Sequence, residues 1–185
     1  MKTLETKRMI LRPLAFSDLH AFNAYAKKPN IGPMAGWKPH KDLDESRHIL
    51  NIMIQEKEVW AITIKPNDTV VGTIGLHKRS LEHALLNKKE IGYVLDDTLW
   101  GQGLMVEAVQ AVLAYAFKTL KLSKVTCGHR QDNPQSKRVI EKTGFTFTHE
   151  ELRDDHNKKP VIIVMYELKR KTYGRISHES ITNQI

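Results

Sequence analysis

Residues 99–108 read LWGQGLMVEA, with Gly101 and Gly103 one residue apart, behind Trp100 and just ahead of an apolar helical pattern. Glycine costs a helix or strand interior about 0.5–1 kcal/mol against alanine. A pair at such a junction therefore marks a turn that brings backbone close to something. The preceding EIGYVL (90–95) reads as a strand. Residues 104–120 read as the best helix of the chain, with Met105, Ala108, Val109, Val112, Leu113, Ala116 and Leu120 on one stripe. Strand, glycine turn and helix together suit an anion. The first N–H groups of a helix lack intrahelical partners, its dipole adds positive charge there, and glycine leaves room for approach.

Two familiar versions of that arrangement fail. A P-loop needs GxxxxGK[ST], and no such lysine follows Gly101 and Gly103. A dinucleotide fingerprint needs a third glycine, where Val106 stands, and an acid on the next strand, where KVTCGH (124–129) has none.

Working outward, MILRPL (9–14) reads as a strand. Ser17 and Asp18 offer an N-cap for a helix running to about Lys28. Residues 28–42 form a Pro- and Gly-rich loop, and 43–57 a second helix with Ile49, Leu50, Met53 and Ile54 at helical spacing. VWAITI and TVVGTIGLHK, joined by a Pro-Asn-Asp turn, read as a hairpin followed by a polar loop. KVTCGH is a strand, 136–143 a helix stopped by Gly144, and FTFTHEE (145–151) and VIIVMYEL (161–168) are the last strands. The fold class is α/β (α+β), a mixed sheet flanked by helices. A single domain spans 1–168, and 169–185 is a basic, mobile surface extension.

The chain has 185 residues, 41% of them hydrophobic and 27% charged, ordinary for one soluble globular domain. It carries no apolar run of the roughly 18 residues a bilayer requires and no signal-peptide pattern, so the expected location is the cytoplasm. Cys127 is the single cysteine, which rules out an intrachain disulfide. The net charge of +8 favours polyanions, from nucleic acid to a phosphorylated cofactor, without choosing among them.

Thirty residues beyond the glycines the chain reads DNPQSKRVIEKTGF (132–145). IGYVLDDTLWGQGLM and NPQSxxVxxxxGF, in that order and at that separation, resemble the GCN5-related N-acetyltransferase (GNAT) family. The resemblance is to the branch that contains the ribosomal-protein N-terminal acetyltransferases, and it covers about residues 3–168. The family signature is [QR]xxGx[GA]; here Trp100 stands for Gln or Arg and Met105 for Gly or Ala. The resemblance implies a mostly antiparallel GNAT sheet and acetyl-CoA as cosubstrate. It implies that Tyr93, Val94 and Leu95 present backbone groups to the pantetheine arm. The segment Trp100, Gly101, Gln102, Gly103, Leu104 and Met105 then wraps the pyrophosphate, Asn133 hydrogen-bonds the cofactor, and Ser136 lies near its sulfur. Lys137, Arg138 and Lys142 either meet phosphate or form a solvated basic face.

Acetyl transfer needs a neutral amine, a stabilised oxyanion and a leaving thiolate that is protonated or tolerated. An α-amine, with a reference pKa of about 7.7–8.0, needs far less help than a lysine at about 10.4. Glu90 is the candidate general base, acting through water; otherwise it pairs with Lys88 or Lys89 or lies in solvent. A strand amide from Tyr93–Leu95 is the candidate oxyanion donor. Ser136 is the candidate acid or sulfur-orienting group, or simply a helix-start serine. Where other branches carry a tyrosine and a glutamate, this chain has Ile140 and Gly128. Trp37 and His40, in GWKPH, occupy the place where the family shapes its acceptor pocket; otherwise Trp37 packs as a core lid. Cys127 and His129 read as core residues, and the nine histidines show no zinc spacing, so no metal is expected.

The acceptor is a protein N-terminal α-amine or a small-molecule amine, with a ribosomal protein among the candidates. The short polar RDDHNKKP (153–160) counts against the ribosomal assignment, because those enzymes often carry an aromatic-rich loop there. Two other classes compete: a non-catalytic CoA-binding member, and a basic nucleic-acid-binding domain. Against the latter stand an aromatic content of 7% and the absence of any nucleic-acid-binding motif. No membrane partner is expected, and the sequence leaves the oligomeric state open.

Overall fold

The computed structural model describes residues 1–78 and 87–175. The polar loop expected after the hairpin and the end of the C-terminal extension lie largely outside these described residues. The sheet contains β1 (Leu4–Glu5), β2 (Met9–Pro13), β3 (Val59–Ile64), β4 (Val70–His77), β5 (Lys88–Leu95), β6 (Lys124–Arg130), β7 (Thr146–Asp154) and β8 (Pro160–Lys169). The α-helices packed on the sheet among the described residues include α1 (Leu19–Ala26), α2 (Leu43–Glu56), α3 (Leu104–Ala114) and α4 (Pro134–Lys142). Strand order is β1-β2-β3-β4-β5-β6-β8-β7. Every neighbouring pair is antiparallel except β5–β6, which is parallel.

Both faces of the sheet are covered, and β3 shows why its sequence reads as a continuous apolar run. Side chains alternate across a strand. Trp60 and Ile62 pack with the stripe of α3, whereas Val59 and Ala61 pack with Phe22, Tyr25 and Leu50 of α1 and α2. A large side chain buried in this way contributes about 1.5–3 kcal/mol relative to exposure. Cys127 and Trp60 are both in the core.

Four local features differ from the sequence expectation. Asp18 does not cap α1 with its side chain. Its carboxylate accepts from the Ala15 N–H at 2.8 Å and from both terminal nitrogens of Arg12 at 2.7 and 2.9 Å. The long helix leaves α geometry after Ala114 and ends in a π-helical turn over Tyr115–Thr119. That wider turn rotates Leu120 off the stripe, leaving it 38% exposed, and Leu122 is buried instead. The helix expected at 136 begins at Pro134, because Asn133 is its N-cap and Pro suits the first helical position. The C-terminal extension starts as a docked segment: residues 170–175 are helical, and the Tyr173 ring sits 4.9 Å from that of Phe117.

Candidate active site

The site begins where one ladder stops. β5 pairs with β4 through Leu95, yet its parallel pairing with β6 consists of Lys88↔Lys124, Lys89↔Val125 and Glu90↔Thr126. Beyond Glu90 the two strands diverge. A cavity of about 690 Å³ opens between Ile91–Leu95 on one side and Cys127–Arg130 on the other. Backbone groups on the diverging edge of β5 thus face a space wide enough for an extended ligand to pair with them as a strand would.

The glycine turn closes one part of this cavity. Asp96 accepts from the Thr98 N–H at 3.0 Å and starts a 3₁₀ turn over Asp97–Leu99. The Trp100 indole N–H then donates back to the Leu95 carbonyl at 2.9 Å, fastening the loop to the strand it left. Gly101 and Gly103 both take left-handed conformations, with φ of +78° and +74°. A side chain would be strained at either position. A Cβ built on Gly101 would meet nothing within 4 Å, so the loop presents bare backbone to open space. From the outside, Arg8 donates to the Gln102 carbonyl at 2.9 Å and pairs with Glu107 at 2.7 Å. Arg8 thereby draws a carbonyl outward and offsets an acid in the first turn of α3, where an acid would repel an anion.

The loop is clamped on its other side by Lys28, which reaches Asp96 at 2.8 Å and Asp97 at 2.6 Å. Hydrogen bonds to Asp96 and then Asp97 raise the Lys28 pKa. Those from Lys28 and then Asn30 pull the Asp97 carboxyl down to about 2.

The second sequence motif closes the opposite wall. Asn133 Oδ1 accepts from the Ser136 N–H at 3.0 Å, so that oxygen caps α4. Both residues line the cavity. The Tyr93 side chain crosses from β5 to meet them, its hydroxyl 3.0 Å from Ser136 Oγ and 3.3 Å from the Ser136 carbonyl. Burial raises the Tyr93 pKa well above the usual tyrosine range, so the phenol stays neutral. Burial, aided by the Glu90 charge, also raises the Cys127 pKa, which leaves a thiol and no nucleophile. Arg138 and Lys142 line the same cavity, whereas Lys137 pairs with Glu141 at 3.8 Å.

Glu90 sits at the last rung of the β5–β6 ladder, with its side chain 8% exposed. Lys89 pairs with Glu58 at 3.0 Å. Facing Glu90 is Arg153 of β7, with Nη2 3.6 Å from Glu90 Oε2 and a second ion pair to Glu151. Arg153, Asp154 and Asp155 all line the cavity. The sequence carried no signal for the Arg153–Glu90 contact beyond the charges in RDDH, because the two residues lie far apart in the chain. Gly128 also lines the cavity, and a Cβ there would lie 2.6 Å from Met165 Sδ and 2.9 Å from an Ile163 methyl. A side chain at this position would therefore require Met165 and Ile163 to shift, and Glu90 is the buried carboxylate among the lining residues.

Trp37 and His40 are not brought to the cavity. The loop that carries them contributes Ile31, Met34, Ala35 and Gly36 to the lining instead. Trp37 lies over Gly32, and its ring centroid is 5.1 Å from that of His40. His40 is buried, with Nδ1 2.8 Å from Ser46 Oγ. That oxygen also receives the Asn23 amide at 2.8 Å and donates to the Asp42 carbonyl at 3.2 Å. The network is satisfied when His40 carries its proton on Nδ1 and donates it. Burial lowers the His40 pKa. His129 is likewise buried, with Nδ1 2.7 Å from the Arg130 carbonyl. Among the described residues no group of three or more His, Cys, Asp or Glu side chains is placed to hold a metal ion, and no helix is long and apolar enough to cross a membrane.

Residues 8–146 match the family model described as an acetyltransferase (GNAT) domain, which spans the divergent strands, the glycine turn and α4. The chain belongs to the GNAT acetyltransferase family. It is 27% identical over 183 residues to an uncharacterized N-acetyltransferase, p20, of Bacillus licheniformis, covering 94% of this chain and 99% of that one. It is 33% identical over 97 residues to the ribosomal-protein-serine acetyltransferase of Escherichia coli strain K12, covering 51% and 52% of the two chains. Its fold matches the crystal structure of a GNAT-family acetyltransferase from Bacillus anthracis with a TM-score of 0.82 at 23% identity, over 92% of this chain and 99% of the other. The eight-stranded mixed sheet flanked by helices is the GNAT fold, and the protein is an acetyltransferase.

Proposed function

We propose that this GNAT acetyltransferase moves an acetyl group from acetyl-CoA to a primary amine, with both reactants held together in the cavity between β5 and β6. The observation that carries this reading is the coincidence of two features on one wall. The β5–β6 ladder stops at Glu90, and two left-handed glycines expose bare backbone at the start of α3. The first offers a strand edge to an extended, amide-bearing arm. The second offers unpaired N–H groups to a pyrophosphate. In this reading Tyr93, Val94 and Leu95 hold the arm through their backbone, Trp100 to Met105 hold the diphosphate, and Asn133 and Ser136 bound the far wall.

Bound acetyl-CoA supplies an acetyl group activated as a thioester; the residues of the chain do the rest. Glu90 accepts the proton of the incoming ammonium, directly or through water, from a buried position. Arg153 keeps that carboxylate company and fixes its direction. A Tyr93–Leu95 backbone N–H stabilises negative charge on the carbonyl oxygen. Ile31, Met34, Val161 and Ile163 give the acceptor an apolar surround, excluding water from the reacting centre.

A protein N-terminal α-amine is the favoured acceptor. Its reference pKa of about 7.7–8.0 leaves a usable neutral fraction near pH 7, which matches a site with a single buried carboxylate on its base side. The likeness to a ribosomal-protein-serine acetyltransferase points the same way. Residence in the cytoplasm belongs to the same proposal. Calorimetric titration with acetyl-CoA tests it, with Gly101→Val alongside. Saturable binding that is lost in the variant is the expected result. Equal binding by both proteins, or binding by neither, removes the cofactor from the glycine turn.

A further inference from the structure

The phenol of Tyr93 enters a site where only the backbone of β5 was expected to act. Its hydroxyl stands 3.0 Å from Ser136 Oγ, reached from a different strand across the cavity wall. Ser136 is also held from below, because its N–H donates to Asn133 Oδ1 at 3.0 Å. The serine is thus fixed by its own helix cap on one side and by Tyr93 on the other.

Hydrogen inventory limits what that contact can do. A hydroxyl has one hydrogen and can also accept. Tyr93 is buried, and burial makes its ionised form unfavourable, so its hydrogen stays on oxygen; the oxygen acceptors within its reach are Ser136 Oγ at 3.0 Å and the Ser136 carbonyl at 3.3 Å, of which the Oγ is the nearer. If Ser136 Oγ accepts that hydrogen, the serine's own hydrogen is released from Tyr93 and turns to the cavity. A hydroxyl that accepts a hydrogen bond is also a stronger donor in turn. This matters because a serine cannot surrender its proton to a thiolate: a free thiol has a pKa near 8.5, far below that of an alcohol. The useful role for Ser136 is as a hydrogen-bond donor whose direction is set in advance.

We propose that Tyr93 is a positioning residue: its phenol donates to Ser136 Oγ and so aims the Ser136 O–H at the sulfur of the leaving thiol. The inference rests on the cofactor reading above. No proton leaves Tyr93 or Ser136 in this scheme. When the carbon–sulfur bond breaks, its electron pair stays on sulfur, and the Ser136 hydrogen bond stabilises it there.

The test compares Tyr93→Phe, Ser136→Ala and the double variant with the unaltered protein, by calorimetric titration against CoA and against desulfo-CoA near pH 9. Tyr93→Phe removes one oxygen and keeps the ring. Each single variant is expected to weaken CoA several-fold and to leave desulfo-CoA unchanged, since only CoA carries a thiolate. The double variant is expected to be no weaker than Ser136→Ala. In turnover, Tyr93→Phe is expected to lower kcat about tenfold with the KM for acetyl-CoA unchanged, an effect that vanishes in the Ser136→Ala background. Equal loss for both ligands would mean that Tyr93 merely shapes the channel, and additive losses would mean that it does not act through Ser136. Either overturns the inference while leaving the cofactor site intact. Failure of the unaltered protein to bind either ligand removes the cofactor reading itself, and this inference with it.

Discussion

The loop that follows β5 and the loop between α1 and α2 look alike as sequence. Both are short of periodicity, both contain two glycines and a tryptophan, and both border the same cavity. They use those residues in opposite ways. In the first, the Trp100 indole fastens the loop by its edge to Leu95, and the glycines stay bare, with open space in front of Gly101. In the second, Trp37 is laid directly over Gly32, where a Cβ would lie 2.5 Å from the indole ring. One glycine is needed because the backbone turns left-handed in front of open space; the other is needed because a neighbouring side chain already fills the space. The same residue type leaves bare backbone in one loop and makes a packing contact in the other.

The two loops border the same cavity, and the largest expected effect is there. Glu90→Gln keeps shape and removes the proposed base. Its kcat with an amine acceptor is expected to fall about 10²–10⁴-fold, the usual worth of a general base, with affinity for acetyl-CoA unchanged. An equal loss of affinity would assign Glu90 to the cofactor side instead. The glycines come next. Gly101→Val is expected to abolish measurable acetyl-CoA binding in the titration above. Gly32→Val is expected to leave binding intact and to cost roughly 1–3 kcal/mol of stability, as overpacking does. Chemical denaturation read beside the titration separates these outcomes, and a reversal of the two would break the comparison.

Arg8→Ala sharpens it further. Freed from Arg8, the Gln102 carbonyl can turn inward and Glu107 regains its full repulsion of an anion. Acetyl-CoA affinity is expected to fall several-fold, by a factor that shrinks as added salt screens the repulsion, as binding isotherms at two ionic strengths would show.

The smallest effect is a pH dependence confined to the second loop. The folded pKa of His40 is lowered by burial, so the unfolded chain binds the proton more readily. The stability from a neutral His40 is present above the unfolded value of about 6.5 and is lost as pH falls through it. His40→Gln is expected to flatten that slope in denaturation curves between pH 7 and about pH 5.5, without changing acetyl-CoA affinity. A change in affinity would return His40 to the acceptor site.

Much of this was legible in the sequence because it is local. The glycine turn announces itself by residue type and the apolar stripe of α3 by its period, whereas Asn133 was marked only by the family motif. Where the helical pattern failed, a competing partner or a change of helix type had intervened. Asp18 is drawn off its helix by Arg12, and Leu120 is rotated off its stripe by a π-helical turn.

What the sequence determined by itself was the order of elements and the glycine turn after β5, because helix and strand periods and turn chemistry act over a few residues; its two motifs, in order, carried the resemblance to the GNAT family. What only the tertiary structure decided was which side chains meet. The pairing of β7 with β8, and of β8 with β6, brings Arg153 to Glu90. The divergence of β5 from β6 opens the cavity that Tyr93 and Ser136 share. The packing of α1 against α2 holds His40 against Ser46 with Trp37 beside it, so neither side chain lines the cavity. Strand register and helix docking are set by long-range burial, and no local pattern encodes the partner that burial will supply.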